Sequence, residues 1–342
     1  MKVFTLDVGT GTQDFLLYIE GENVRNCPKA VMPSPTIIVA ERVRKLAAEG
    51  EDILLTGYTM GGGPSSRAVR DALERVSVYA FEKPALTIND NLQRVEELGI
   101  RIVDEKVENA REVFMTDVDM AAYSSMLESF GIGMPDKFVV AVQDHGFSPT
   151  ESNRKFRFRV FEKVLNNSPY LESFLYPADE VPEHYNRMKS AVTAILDFLG
   201  GESEVYVIDT VFAAIGGAML DAVEFPALVM NFGNGHTVFA VVDRDGRIYS
   251  LMEHHTSIVR NMDVEELAGK FIRGELDNET VYEQGGHGAW IDAVVDVKDF
   301  VKTGPNAHIA DFREANPAGD VMVVGNLGMV NLLKNHEFLA GI

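Results

Sequence analysis

Two short runs in this sequence have the residue types needed to hold phosphate. Leu6-Asp7-Val8-Gly9-Thr10-Gly11-Thr12 and Met230-Asn231-Phe232-Gly233-Asn234-Gly235-His236 lie over each other without a gap, and Phe15 then falls on Phe239. In each, an apolar stretch ends in a polar residue, and glycines then alternate with small hydroxyl or amide side chains. A tight hairpin of that kind exposes successive backbone N–H groups, a concavity that takes anions. Two of them facing each other would clamp a polyphosphate from both sides, whereas either alone reads as an ordinary glycine hairpin. The candidate binding residues are therefore Gly9, Thr10, Gly11, Thr12, Asn231, Gly233, Asn234 and Gly235. Asp7 ends a buried-type strand, where a carboxylate is costly unless it meets a cation or several donors. Asp209 ends another strand and opens a helix, the position of an N-cap and also of a carboxylate that could accept a substrate proton. Histidines form a second theme: Asp144-His145, His236, Glu253-His254-His255 and Gly286-His287-Gly288 all fall in loops or at strand ends. Were they to converge, imidazoles with a carboxylate would suit Zn²⁺ or Fe²⁺. No pair has the i, i+4 spacing of helical ligands, and His254 and His255 must point to opposite faces of a strand. Surface or hydrogen-bonded histidines are the plainer reading.

The elements that must position these residues alternate between helix and strand. Val3–Asp7, Phe15–Glu20 and a third short run make a β-meander, and Ala227–Met230, Thr237–Val242 and Arg247–Met252 make a second, turned at Asn234-Gly235 and Asp245-Gly246. Between them the pattern predicts a helix at about 38–49, strands at 52–56, 137–142 and 205–208, mostly helix over 150–200, and a small-residue helix over 209–220. Alternation of this kind gives an α/β fold. A repeat of two units so far apart predicts two related lobes rather than a solenoid.

The bulk properties agree. A chain of 342 residues is long for one core. With 46% hydrophobic and 24% charged residues it has the composition of a globular protein. A formal net charge of −21 repels a phosphate backbone, so nucleic acid is not an expected partner. No apolar run approaches the roughly 20 residues of a membrane span. Cys27 is the single cysteine, which precludes an intrachain disulfide; with a start directly on a strand and no basic leader, it points to the cytoplasm.

Taken together, these motifs resemble those of the actin-like ATPase superfamily, which includes actin, hexokinase and the FGGY-type carbohydrate kinases. Leu6–Thr10 resembles the first phosphate motif and Asn231–Thr237 the second. Ile208-Asp209-Thr210 with the small residues through Ala218 is similar to the kinases' segment before that second motif, in which the Asp is the general base. Val321–Gly328 resembles the adenosine motif, read as a strand ending in a glycine turn at Gly325 and Gly328. Gln143-Asp144-His145-Gly146 is similar to a Gln-x-His-Gly found near the substrate in some carbohydrate kinases. The resemblance covers about a quarter of the chain. It implies a two-lobed, duplicated ribonuclease H-like α/β fold, each lobe a mixed sheet that starts with a β-meander. Residues 1–222 would form the first lobe with a helical insertion, and 223–342 the second. It also implies ATP between the lobes, Mg²⁺ held by Asp7, Asp209 as base, and a small-molecule substrate near Gln143, Asp144 and His145. Two departures stand out: Asp14 occupies a position where the kinases carry Lys or Arg, and Asn231 replaces an acid. A kinase, a non-catalytic ATP-binding regulatory protein and a histidine-dependent metallohydrolase all remain compatible with these residues. The overall pattern also resembles a prokaryotic family labelled as related to the pyruvate formate-lyase activating enzyme. A radical activator needs three cysteines for its iron–sulfur cluster; this sequence has one, and the cysteine-bridged cluster activators of the actin-like superfamily are excluded on the same ground.

Overall fold

A computed structural model describes residues 1–148, 150–201 and 203–340. Strands β1 (Lys2–Val8), β2 (Thr12–Ile19) and β3 (Lys29–Pro33) form the first meander. The next four, β4 (Ile53–Gly57), β5 (Val78–Ala80), β6 (Arg101–Ile102) and β7 (Arg111–Met115), leave it to build a small all-parallel sheet with its own core. The chain then returns with β8 (Lys137–Val142), β9 (Tyr176–Pro177) and β10 (Glu204–Ile208), completing a sheet of order β3-β2-β1-β8-β10-β9. The later half repeats the plan. Strands β11 (Ala227–Phe232), β12 (His236–Val242) and β13 (Ile248–His255) make the second meander. With β14 (Gly288–Ile291), β15 (Asp299–Thr303) and β16 (Arg313–Glu314) they form a sheet of order β14-β13-β12-β11-β15-β16.

The two sheets share a scheme: an antiparallel meander whose first strand pairs in parallel with a later strand, β1 with β8 and β11 with β15. Even the register repeats. Leu6 faces Phe15 across the first hairpin, and Met230 faces Phe239 across the second. The two halves thus share one α/β plan, a mixed sheet that starts with a β-meander.

Alternation along the strands sends successive side chains to opposite faces. Val3, Val139 and Ala141 from one sheet and Val229, Val238 and Ala240 from the other meet in a common central core. Two helices, Thr210–Ala218 and Val324–Ala340, run through that core and carry Phe212, Ile215, Met329 and Leu332 into it. The second of these corrects the sequence reading. Val321–Gly328 is no strand: Val321–Val323 is a single 3₁₀ turn, and a helix begins at Val324. The β-branched run before Gly325 suggested a strand, but Val324, Met329, Leu332 and Leu333 are all buried, at the spacing of a helix face. The helix packs on the first sheet, where the Asn326 amide donates to the carbonyls of Thr5 and Asp14. Gly328 is accordingly a packing glycine: a β-carbon there would lie 1.9 Å from the Ala213 carbonyl oxygen. Among the described residues no helix is long and apolar enough to cross a membrane.

One ion-pair network ties the halves together across the core. The helix Asn153–Asn167, rich in arginine and phenylalanine, turns Arg157 inward rather than to solvent. Its guanidinium engages Asp209 at the end of β10 (2.6 and 3.0 Å) and Glu253 on β13 (2.8 and 3.0 Å). All three side chains are essentially inaccessible.

The close helix crossing gives a direct test. A β-carbon on Gly217 would fall 1.8 Å from the Val324 carbonyl oxygen, whereas one on Gly133 meets nothing within 4 Å. Gly217→Ala is expected to cost about 1–3 kcal/mol in urea unfolding, the usual penalty of overpacking, while Gly133→Ala stays within about 0.5 kcal/mol of the parent.

Candidate functional site

The two glycine turns are built alike, bond for bond. Gly9 N–H donates to the Thr12 carbonyl at 2.9 Å, and Gly233 N–H donates to the His236 carbonyl at 2.9 Å. A hydroxyl at the end of each third strand then braces its turn: Ser34 Oγ donates to Gly9 O (2.6 Å), and Thr256 Oγ1 donates to Gly233 O (2.8 Å). The backbone follows suit, with Ser34 N–H on Gly11 O (3.1 Å) and Thr256 N–H on Gly235 O (3.0 Å). The repeat thus extends to Ser34 and Thr256, which the sequence comparison missed. The signal was present as a hydroxyl residue closing the third strand of each meander. With the carbonyls so occupied, the N–H groups of Thr10, Gly11, Asn234 and Gly235 have no protein acceptor among the described residues.

The turns face each other closely enough that a β-carbon on Gly11 would lie 2.9 Å from the Asn234 amide nitrogen. Between them is a cavity lined by Asp7, Gly9, Thr10, Thr12, Asp14, Asn231, Gly233, Asn234, Gly235 and Gly325. Gly11 and Gly328 do not line it. Gly325 leaves room for Asp7: a β-carbon there would sit 2.3 Å from Asp7 Oδ2. On the antiparallel ladder Asp7 is directly opposite Asp14, so both carboxylates point to one face. Each keeps one buried oxygen, Oδ1, with no partner. Burial pushes Asp7 up to about 7, with Thr210 opposing and Asp209 adding to the shift. Burial followed by the Asp7 charge pushes Asp14 up to about 8. Two facing carboxylates with spare oxygens and a bare anion nest beside them form a donor set that suits a hard divalent cation. The departure at Asp14 thus replaces a cationic phosphate contact with a second acid.

Asp209 does not stand free. Its oxygens accept from both Arg157 amino nitrogens, from the Asp144 N–H (3.1 Å) and from the Val211 N–H (3.2 Å) as the cap of the following helix. Each of its two oxygens thus already accepts two hydrogen bonds. Asp144 is likewise spent: it takes the N–H groups of Gly146, Arg187 and Met188 at 2.8–3.0 Å and so anchors the helix Asn186–Leu199. Gln143 and His145 do face open space. Gln143 lines the phosphate cavity and an adjoining one, which His145, Asp90, Asn153, Asn186 and Arg187 also line beside the small sheet. Arg187 is held there by Asp117 (2.6 and 3.0 Å) and by the Gln143 carbonyl. Sequence reading missed the partners Arg157, Arg187 and Asp117, and took Glu253 only as a neighbour of the histidines, because a buried arginine looks in sequence like a surface one.

The histidines do converge. His145 follows β8 in the first lobe, His236 opens β12, and His287 precedes β14 in the second lobe. One nitrogen from each lies within 4.8 Å of the others. His255 flanks them, its ring centroid 4.8 Å from that of His287, while His254 alternates to the other face of β13.

A family model described as "putative pyruvate format-lyase activating enzyme (DUF1786)" matches residues 60–309. No curated protein matches. Similar solved structures include the activator of 2-hydroxyisocaproyl-CoA dehydratase from Clostridium difficile with bound ADPNP, at 10% identity over 100% of this chain and 98% of that one, TM-score 0.37. The ethanolamine utilization protein EutJ from Carboxydothermus hydrogenoformans is 11% identical over 97% and 90%, TM-score 0.30. An exopolyphosphatase from Cytophaga hutchinsonii is 8% identical over 89% and 66%, TM-score 0.30. The family model takes in well over half of the sequence, and the chain therefore belongs to the family of that description.

Proposed function

We propose that this chain binds a nucleoside triphosphate, ATP, between its two sheets, and that it cleaves or transfers the terminal phosphoryl group. The observation that carries this reading is the pair of matched turns, which line one cavity beside two carboxylates with spare oxygens and whose N–H groups are unengaged. Opposed nests hold phosphate oxygens from both sides, with Thr10, Thr12 and Asn234 completing the cradle. Asp7 and Asp14 are the residues that would hold Mg²⁺, which when bound supplies charge to the phosphates. A second small molecule would enter through the adjoining cavity past Gln143, His145 and Arg187. In this reading Asp209 and Arg157 set the angle between the lobes and do not touch the proton that moves. The radical-activating function in the family's description is not carried over, because buried Cys27 is one thiol where a cluster needs three.

Calorimetry with Mg·ATP tests the reading. The expected affinity is millimolar or tighter, about −4 kcal/mol or better, with binding lost in Asp7→Ala while the circular dichroism of the fold survives. No heat at several millimolar Mg·ATP rejects it.

The carboxylates add a pH dependence. Their folded values of about 7 and about 8 lie above the ordinary 3.8, so the folded state binds the extra protons. Stability of the nucleotide-free protein should therefore fall as pH climbs from about 4 through 8. A cation must displace the same protons, so Mg·ATP affinity should rise, by roughly tenfold per proton released per pH unit. Thermal melts of Asp14→Asn should show a shallower decline over that window, and an unchanged slope contradicts the assignment.

Asp209→Asn separates strut from base. It leaves Arg157 with one buried carboxylate partner instead of two, and breaking a buried pair typically costs about 3–5 kcal/mol. The expected result is a large drop in stability with ATP turnover per folded molecule within a few-fold of the parent. A loss of turnover of about 10²-fold or more in a stable variant would restore the base role.

A further inference from the structure

Beside the two cavities lies a histidine cluster: His145 lines the second cavity and His236 the first. His145, His236 and His287 bring one nitrogen each to within 4.8 Å of one another. His287 is 1% exposed, and neither of its ring nitrogens has a hydrogen-bond partner. Buried polar groups are rarely left so, and here the orphaned nitrogens belong to a cluster of other imidazoles. The ring centroid of His287 lies 4.5 Å from that of His236 and 5.8 Å from that of His145.

We infer that His145, His236 and His287 form a binding site for a divalent transition-metal ion of the Zn²⁺ or Fe²⁺ type, bridging the two lobes. Imidazole nitrogen is the ligand such ions favour, and three of them leave a coordination position for water. At Zn–N bonds of about 2.0–2.1 Å the rings need to close by up to about an ångström. The surroundings are already arranged for ligation. Glu253, fully buried and held by Arg157, lies 2.9 Å from His236 Nδ1. With Nδ1–H donating to that carboxylate, Nε2 keeps its lone pair for the metal, the arrangement that orients a ligating histidine. The charges around the cluster are those of Glu253, Arg157, Arg154 and the flanking His255. One ligand comes from the first lobe and two from the second, so the ion would brace the same lobe junction that Arg157 spans.

Cobalt is a direct probe, because Co²⁺ in a four-coordinate nitrogen site absorbs visible light. The full chain, stripped with a chelator, is titrated with CoCl₂ and then with ZnCl₂. Expected is saturable uptake of one Co²⁺ per chain at micromolar concentration, with visible d–d bands that Zn²⁺ abolishes. The bands should vanish in His145→Ala and in His287→Ala and persist in His308→Ala, an exposed histidine elsewhere. His145 stands at the cavity edge, so its variant decides the matter if His287→Ala fails to fold. Absence of uptake by the parent, or bands and stoichiometry unchanged in His145→Ala, overturns the site.

Discussion

Everything in this molecule depends on a guanidinium placed where no water reaches it. Arg157 holds one carboxylate from each half of the duplication, Asp209 at the end of β10 and Glu253 on β13. Burial works against its charge, but the two acids outweigh that cost and hold the guanidinium well above its ordinary range. Partners also run outward from each acid. Asp209 caps the central helix and accepts from Asp144 N–H, so it fixes the end of β8. Glu253 reaches His236, whose carbonyl closes the second glycine turn. The phosphate cradle, the helix under it and the histidine cluster are thus positioned from one ionic node. A buried network of this kind contributes geometry more than stability, since replacing such groups with apolar ones is often neutral or better for stability.

Around that node the duplication explains the cleft. A meander on its own offers one nest of N–H groups, too weak and too open for a triphosphate. Folding two copies face to face, with Ser34 and Thr256 bracing equivalent carbonyls, brings residues of both turns to line the same cavity. The two copies differ where chemistry requires it. Asp7 and Asp14 stand on the first sheet, and their equivalents on the second, Asn231 and Val238, carry no charge. In the proposed reading, cation binding is confined to one wall of the cleft.

The amount legible in the sequence follows from how local each feature is. The meanders, the gapless repeat and the glycine turns were readable because strand alternation and turn chemistry are local signals. The register match of Leu6–Phe15 with Met230–Phe239 follows from the same alignment. The C-terminal segment was misread because Val321–Val324 is β-branched, and its helical character rests on tertiary burial of Met329, Leu332 and Leu333. In the small parallel sheet, β4 falls on the strand read at 52–56, whereas β6, two residues long, is too short to show strand alternation. At the site, Asp209 was found but its ion pair was not, because Arg157 lies 52 residues away and nothing local marks it as a partner. Convergence of the histidines from β8, β12 and β14 is likewise a property of the closed fold alone.

The central claim is that the two glycine turns hold the phosphates between them. A crystal structure with Mg²⁺ and a non-hydrolysable ATP analogue tests it most directly. The account predicts β- and γ-phosphate oxygens within hydrogen-bonding distance of the N–H groups of Thr10, Gly11, Asn234 and Gly235, and the cation beside Asp7 and Asp14. A nucleotide bound elsewhere on the molecule, or phosphates touching only one of the two turns, contradicts it.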